Sequence, residues 1–279
     1  MALGKCLGSG TYCSVYNLKN DPDSVAKVYN NPNDILDDYM LREISILSTF
    51  KHVNMIHLKK IETRSSGKVT LIMEKCQSEL KPSQYSKDPS MRKEIIRQLL
   101  QVLSFLHSHG VIHRDVKPAN ILLAKDGSVR LCDFNTAIYL GLGVCYKNTK
   151  MATEASTLWW RAPEALLDDF HYDYKVDIWS VGIVLLSMII GKEPLCGDNC
   201  VHQLFLTYRM LGTPGTDDIW PEASTLPNWS PKHPQWTHLG LQDMLKTATE
   251  EEKDLLSHML TYPKTRQSAH SLLQHSFFL

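Results

Sequence analysis

A short polar segment, residues 113–120, contains the residue types that phosphoryl transfer needs. It reads His-Arg-Asp-Val-Lys-Pro-Ala-Asn and precedes the apolar run 121–123, and a second apolar stretch ends at Asp133. Packing alone gives no reason to place so many polar groups beside a buried strand. Phosphoryl transfer requires a carboxylate that orients a hydroxyl, cations against the moving charge and oxygen ligands for magnesium. These groups are supplied by Asp115, Lys117, Asn120 and Asp133.

A glycine-rich turn and a lysine within an apolar strand precede this segment. In Gly8-Ser9-Gly10-Thr11-Tyr12, glycines would let backbone amides approach phosphate oxygens. Taken alone, however, this segment is better explained as an ordinary hairpin turn. Lys27 stands in the apolar stretch 25–28, where a buried ammonium is costly unless an anion meets it. Glu43 on the following helix is the candidate partner. The alternative is a lysine that snorkels from a strand edge.

The elements that must position these residues fall into two parts. The first seventy-five residues are predicted to form strands at 15–16, 25–28 and 69–73, with an amphipathic helix whose apolar residues are Leu36, Met40, Ile44 and Leu47. Beyond them the pattern predicts helices over 91–109, ended by Gly110, over the apolar run 178–190, and around 255–259 and 272–273. The proline-rich stretch 214–234 is predicted to be an ordered loop.

Composition excludes several classes of protein. The 279 residues include 30 basic and 30 acidic side chains, so the formal net charge is zero. With 43% hydrophobic and 22% charged residues, the chain is typical of a soluble globular protein. The charge balance gives no sign of a nucleic-acid partner or an acidic membrane surface. The longest apolar run, 178–190, is too short to span a bilayer.

Cysteine usage predicts the compartment. Seven cysteines are scattered along the chain, and the pair Cys196 and Cys200 lacks a second pair with which to hold zinc. Free thiols in a reducing environment are therefore expected. No signal peptide opens the sequence. We expect an intracellular protein of the cytoplasm, the nucleus or both.

Taken in order, the motifs resemble those of a eukaryotic protein kinase along essentially the whole chain. The resemblance rests on Gly8-x-Gly10, Lys27, Glu43, residues 113–120, Asp133-Phe134, Ala162-Pro163-Glu164 and Asp177-x-Trp179-Ser180-x-Gly182. Within that family the chain is similar to the cyclin-dependent group, on the segments 10–12, 41–44, 157–164, 211–214 and 226–236. The resemblance implies an α+β bilobal fold, with an N-lobe over 1–75, a hinge at about 74–80 and a C-lobe over 81–279.

The resemblance also implies roles for the polar residues. Lys27 would hold the α- and β-phosphates of ATP and pair with Glu43, and Asp115 would be the catalytic base. Lys117 would contact the γ-phosphate, and Asn120 and Asp133 would bind Mg²⁺. The remaining ATP contacts would come from the phosphate loop, the back of the adenine pocket, the hinge and two residues that sandwich the ring. These are Gly8, Ser9, Gly10, Val15, Met73, Glu74, Cys76, Ala26 and Leu122.

Other residues are architectural in the resembled family. His113 and Phe134, with Leu47 and Leu58, would form a hydrophobic column between the lobes, so His113 would not be a base. Glu164 and Arg266 would form a buried ion pair beneath the activation segment.

Four positions depart from the family pattern, and they affect regulation more than chemistry. Cys13 replaces the third glycine of the phosphate loop, and Asn135 stands where the Asp-Phe-Gly motif has glycine. Ile138 and Ala152 occupy the positions of a phosphate-clamping arginine and of the usual phosphothreonine. The other two clamping arginines are kept as Arg42 and Arg114, and Thr153 lies one residue from the acceptor position. Thr11 and Tyr12 are candidate inhibitory phosphorylation sites.

The predicted function is that of a Ser/Thr protein kinase that uses Mg-ATP. Lys117, two residues after the base, and Thr157 fit the Ser/Thr pattern, and Arg161 implies substrates with proline after the phosphorylated residue. A cyclin or other regulatory subunit could bind the helix that contains 37–43. Two alternatives stay open: a pseudokinase or scaffold that keeps the fold without turnover, and a small-molecule kinase, which the Ala162-Pro163-Glu164 motif disfavours.

Overall fold

The computed structural model describes residues 2–10, 13–29, 38–63, 69–140, 158–169, 171, 173–215, 219–237 and 244–279. A five-stranded antiparallel sheet forms the N-terminal part, in the order β1-β2-β3-β5-β4. Its strands are β1 (Leu3–Ser9), β2 (Cys13–Leu18), β3 (Ser24–Tyr29), β4 (Leu58–Thr63) and β5 (Val69–Glu74). The strands predicted at 15–16, 25–28 and 69–73 are therefore confirmed.

In the described part of the N-terminal region, one helix accompanies this sheet. Helix α1 (Asp38–Thr49) buries Met40, Glu43, Ile46 and Leu47. Its apolar residues belong to the same core cluster as Leu71 and Met73 of β5. Every residue of β3 is buried, as expected for a strand between two neighbours. Helix α1 and β3 thus meet across a largely apolar layer. Lys27 and Glu43 are buried charged residues within it.

The chain leaves the sheet at Glu74 and enters a second one. Strand β6 (Ser78–Glu79) pairs with β8 (Ile121–Leu123), which pairs with β9 (Val129–Leu131). A small ladder joins β7 (Val111–Ile112) to β10 (Ile138–Tyr139). The chain thus changes sheet within residues 74–80, where the hinge remains a prediction.

Helices are the main regular elements of the remainder. They are α2 (Pro89–Ser108), α3 (Pro163–Leu166), α4 (Lys175–Ile190), α5 (Cys200–Leu211), α6 (Glu250–Met259) and α7 (Ala269–Leu272). Helix α2 starts where Asp88 accepts the amide of Met91 and ends before Gly110, whose φ of 73° favours glycine. Short 3₁₀ turns cover Pro82–Tyr85, Pro118–Asn120, Pro221–Thr225 and Ser276–Phe278. None of the helices in the described part of the chain is long and apolar enough to cross a membrane.

Helix α4 is the centre of the larger part. It is buried along nearly its whole length, as the apolar run predicted. The predicted ion pair lies near its start: Arg266 Nη2 is 3.0 Å from Oε2 of Glu164, and both side chains are almost fully buried. The guanidinium also lies over the ring of Trp179. Helix α5 was not predicted from the sequence. Its Leu204 and Tyr208 belong to a second core cluster, whereas its Met210 belongs to the main one.

Candidate active site

Lys27 is nearly inaccessible to solvent and lies between two carboxylates. Its Nζ atom is 2.8 and 2.6 Å from the two carboxylate oxygens of Glu43 and 2.8 Å from Oδ1 of Asp133. Since β3 has a neighbouring strand on each side, the alternative of a lysine that snorkels from a strand edge is wrong. The anion that a buried ammonium requires is supplied by the chain itself.

Lys27, Glu43 and Asp133 form a cluster whose formal charges sum to minus one. Burial disfavours the charged ammonium, but Glu43 and Asp133 together raise the pKa of Lys27 well above its ordinary value. Burial also disfavours the charged carboxylate of Asp133, but Lys27 holds its pKa below the usual range. Lys27 and Asp133 are therefore charged at neutral pH. An excess negative charge in a buried cluster favours a nearby cation.

The polar segment folds so that its side chains converge on Asp115. Oδ2 of Asp115 lies 2.9 Å from Nζ of Lys117 and accepts a 2.9 Å hydrogen bond from Nδ2 of Asn120. The same amide nitrogen donates to the backbone oxygen of Asp115 at 2.8 Å. Lys117 also helps to lower the pKa of Asp133, so its charge acts on the Lys27 cluster. The amide of Cys132, the residue before Asp133, also donates to the carbonyl oxygen of Asn120 at 2.9 Å, so the two groups of residues lie side by side.

Asp177, near the start of α4, fixes the backbone of this segment. Its fully buried carboxylate accepts the amides of His113 and Arg114 at 2.9 and 2.8 Å. Nε2 of His107 lies 2.8 Å from the same carboxylate. Arg114 has a φ of 68°, a left-handed conformation that a non-glycine residue keeps only when its surroundings enforce it. Asp133 has a similar φ of 65°.

His113 has an architectural position. Its Nδ1 accepts the amide of Asp115 at 3.2 Å, so Nε2 carries the proton and donates to the carbonyl oxygen of Cys132 at 3.0 Å. Its ring meets that of Phe134 at 4.9 Å between centroids. Leu47 and Leu58 belong to the same core cluster as Phe134. With both ring nitrogens engaged, His113 has no nitrogen to offer as a base.

Strand register decides which residues of β3 face the site. Val15 lies opposite Lys27, and Met73 lies opposite Val25. Because paired residues share a face and side chains alternate along a strand, these four residues lie on one side of the sheet. Ala26 lies on the other side, where it packs with Leu18, Val28 and Ile72. The prediction that Ala26 contacts adenine is wrong, because a single step along a strand reverses the face; Val25 is the residue on the site face.

Between Glu74 and Gln77, one backbone amide has no hydrogen-bond partner in the described part of the chain. The amides of Glu74, Lys75 and Gln77 donate to the carbonyl oxygens of His57, Asp23 and Leu123. The remaining amide is that of Cys76, which donates no hydrogen bond to any described residue. The Glu74 side chain is engaged elsewhere, with the amide of His57 and the guanidinium of Arg130. Leu122, on β8, is half-buried and packs against the main core.

Packing within the chain does not explain the glycines of the β1–β2 turn. A Cβ at Gly8 would meet nothing within 4 Å, and the atom nearest to a Cβ at Gly10 would be the carbonyl oxygen of Cys13 at 3.9 Å. Neither glycine has a positive φ. Glycines at these positions would also allow a group from outside the chain to approach the backbone closely, and a phosphate is such a group. Ser9 bonds Ser14 across the turn at 3.0 Å between hydroxyls.

The donor set fits a magnesium ion. The Nδ2 atom of Asn120 donates to Asp115, which leaves its carbonyl oxygen as the atom that a cation can use. Asp133 contributes a carboxylate whose side chain is partly exposed. Oxygen ligands of this kind are what Mg²⁺ prefers, and the cluster carries the excess negative charge that a cation neutralises.

Two of the departures from the expected pattern have simple structural explanations. Asn135 does not have a positive φ, so the position needs no glycine; Asp133 takes the left-handed conformation instead. Ile138 is buried in β10 opposite Ile112, so an apolar contact occupies the position of the missing arginine. Cys13 lies opposite Tyr29 in the β2–β3 ladder.

The structure describes some of the candidate regulatory residues. Nη2 of Arg42 lies 4.0 Å from Oδ2 of Asp38. Asp38 is one turn earlier on α1, and its side chain is largely exposed. The backbone amide of Arg114 is bonded to Asp177. Thr11, Tyr12 and Thr153 lie outside the described residues.

Comparison with known proteins agrees with this geometry. A family model described as a protein kinase domain matches residues 1–278. The chain belongs to the protein kinase family. It is also 36% identical over 283 residues to Cell division control protein 2 homolog 3 of Trypanosoma brucei brucei, an alignment that covers 98% of this chain and 89% of that protein. The kinase is thus a serine/threonine protein kinase that resembles the cyclin-dependent group.

Three residues of the kinase site lacked an assigned role in the sequence analysis. Val25 could have been found by counting alternate residues from Lys27. Asp177 appeared in a motif, but its bonds to residues about sixty positions away follow only from the tertiary fold. Tyr29, whose hydroxyl meets Glu43, lies on the same face as Lys27 and could also have been found by alternation.

Proposed function

We propose that this kinase transfers the γ-phosphate of Mg-ATP to serine or threonine residues that are followed by proline. The observation that carries the proposal is the buried pair of clusters described above: Asp115 with Lys117 and Asn120, and Lys27 with Glu43 and Asp133. Each group that phosphoryl transfer needs is present, and each is held by hydrogen bonds to another member.

The proposed chemistry assigns one task to each residue. Asp115 accepts the proton of the substrate hydroxyl, and Asn120 fixes the orientation of that carboxylate. Lys117 places a positive charge beside Asp115, where negative charge moves during transfer. Lys27 binds phosphate oxygens, and Glu43 holds Lys27 in place. Asn120 and Asp133 would hold Mg²⁺, which neutralises the phosphates when it is bound.

The nucleotide would lie between the two sheets. Val15, Val25 and Met73 offer apolar contacts on the face of the five-stranded sheet, and Leu122 offers one from the other side. The Cys76 amide is the candidate donor to the adenine ring. The glycines at 8 and 10 leave space for phosphate oxygens above the site.

Selection of proline is supported by the resemblance to the cyclin-dependent group. In that group the residue at the position of Arg161 bonds a preceding carbonyl, so the pocket cannot pair the backbone N–H of the following substrate residue. Proline has no N–H and avoids the cost of about 1–3 kcal/mol for an unpaired buried donor. The segment 155–157, which would line this pocket, lies outside the described residues.

Partner and compartment are parts of the same proposal. Leu41 of α1 is 44% exposed although it is a large apolar residue, which suits a regulatory subunit, such as a cyclin, on this helix. A role in the cell cycle is proposed from the name of the relative. The six cysteines among the described residues are free thiols, which agrees with the cytoplasm or the nucleus.

The competing function is that of a pseudokinase, and turnover separates the two. Purified protein is incubated with labelled Mg-ATP and three peptides that differ only at the acceptor or the next residue: Ser-Pro, Ser-Ala and Tyr-Pro. We expect label on the first and little on the others. Equal labelling of Ser-Pro and Ser-Ala would contradict proline selection alone. Nucleotide binding without transfer to any peptide would favour the pseudokinase.

A further inference from the structure

Tyr29 adds a further hydrogen bond to the Lys27–Glu43 pair. It lies two residues beyond Lys27 on β3, so the two side chains point to the same face of the sheet. Its hydroxyl donates to Oε2 of Glu43, which also accepts from Lys27. The ring lies beneath the ammonium, with Nζ of Lys27 5.6 Å from its centroid.

The hydrogen bond between Tyr29 and Glu43 is inaccessible to solvent. The Glu43 side chain is 1% exposed, and Tyr29 is 3% exposed, so water cannot replace a lost donor. Lys27 divides its attraction between Glu43 and Asp133. The Tyr29 hydroxyl donates to Glu43 and not to Asp133, so it stabilises the glutamate in its present position. Hydrogen bonds to charged groups are stronger than those between neutral groups.

Tyr29 is also a donor that does not change its charge. Burial and the neighbouring Glu43 carboxylate raise the pKa of Tyr29 above its ordinary value. The hydroxyl is therefore protonated and neutral at neutral pH. A second lysine at this position would instead compete with Lys27 for the same phosphate groups.

We infer that Tyr29 is a positioning residue for phosphoryl transfer, whose hydroxyl holds Glu43 against β3 so that Glu43 can hold Lys27. The inference rests on the proposed function. Tyr29 touches neither substrate nor nucleotide in this role and acts only through Glu43. When Lys27 contacts phosphate and Asp133 a cation, the bond between Tyr29 and Glu43 remains within the chain.

The kinetic test uses Tyr29→Phe, which removes the hydroxyl and keeps the ring. We expect kcat with Mg-ATP and a Ser-Pro peptide to fall about tenfold, equivalent to about 1.4 kcal/mol. The KM for ATP should change less than about threefold. Loss of the hydroxyl makes the correctly positioned Lys27–Glu43 pair rarer in both the free and the nucleotide-bound kinase, so the affinity for ATP changes little. Tyr208→Phe is the matched control: the Tyr208 hydroxyl is also buried but has no hydrogen-bond partner among the described residues. That variant should keep the wild-type kcat.

A second measurement tests whether Tyr29 acts through Glu43. Urea unfolding of the wild type, Tyr29→Phe, Glu43→Gln and the double variant gives the coupling between the two side chains. We expect Tyr29→Phe to destabilise the wild type more than the Glu43→Gln background. An equal loss in both backgrounds overturns the inference, and so does an unchanged kcat. A wild type that transfers no phosphate would overturn the proposed function itself; an active wild type with an equally active Tyr29→Phe overturns only the role of Tyr29.

Discussion

The carboxylate of Asp177 accepts a 2.8 Å hydrogen bond from the backbone amide of Arg114, a residue held at a φ of 68°. The neighbouring amide of His113 bonds the other carboxylate oxygen. The residue immediately after Arg114 is Asp115, the proposed base. One buried side chain of α4 therefore sets the backbone from which the catalytic carboxylate projects, and it does so from more than sixty residues away.

Asp177→Asn should weaken both stability and activity. An amide cannot accept through its nitrogen, so at least one of the buried amides or His107 loses its acceptor. Each unpaired buried donor costs about 1–3 kcal/mol. Urea unfolding should show this loss, and kcat should fall as the position of Asp115 relaxes. Wild-type stability and kcat together would contradict the anchoring role.

The contribution of Asp177 should also depend on pH. Burial disfavours its charged form, but the hydrogen bond and charge of His107 and the amide of His113 hold its pKa below the usual 3.8. A carboxyl with a lower pKa in the folded state stabilises the fold above its unfolded pKa, and this stability is lost as the pH falls through the folded pKa. The stability difference between wild type and Asp177→Asn should therefore shrink in acid. A difference that grows below about pH 4 would contradict the assignment.

Lys27→Met should remove transfer and also destabilise the fold. The loss of one cationic contact to the transition state lowers the rate by roughly a thousandfold. The variant also leaves the buried Glu43 carboxylate and the partly exposed Asp133 without the ammonium that both contact, at a cost of up to about 3–5 kcal/mol. Adding Glu43→Gln should restore part of the unfolding free energy without restoring activity. A single variant as stable as the wild type would show that the cluster is not coupled to the fold.

The face assignment of β3 can be tested with two neighbouring substitutions. Val25→Phe enlarges a residue on the site face and should raise the KM for ATP about tenfold or more, by obstructing the adenine site. Ala26→Val enlarges a residue packed against Leu18 and Ile72 and should cost about 1–3 kcal/mol of stability while leaving that KM nearly unchanged. Unfolding and ATP titration check the pair. The reverse pattern would restore Ala26 as the nucleotide contact.

The sequence predicted which polar residues the structure brings together at the candidate site, but not the residues that support them. Lys27, Glu43 and the segment 113–120 were identifiable because a polar residue in an apolar stretch needs a reason. The apolar run of α4 marked a buried helix in the same way. Asp177 and Ala26 show the limits. The first acts through tertiary contacts that no local pattern encodes, and the second depends on which face of a strand is turned toward the site.

Activity should depend weakly or not at all on a phosphate between Asn135 and Thr157. Ile138 is buried in β10, so the third arginine of the family's phosphate clamp is missing, and Ala152 has no hydroxyl to modify. Glu154 is the nearest anion in sequence for Arg42 and Arg114. Thr153→Ala should keep most of the activity, and Glu154→Gln should lower it. Mass spectrometry of the active protein and these two variants decide; a Thr153→Ala variant that loses its activity while Glu154→Gln keeps it would make Thr153 the switch.

The most direct test of the account is Asp115→Asn in the purified kinase, assayed for transfer from Mg-ATP to a Ser-Pro peptide. Asparagine keeps the shape and the contact with Asn120 but cannot accept the hydroxyl proton. The account predicts that kcat falls by a factor of about a hundred to ten thousand while ATP binding stays unchanged. An Asp115→Asn variant that transfers phosphate at the wild-type rate would contradict it.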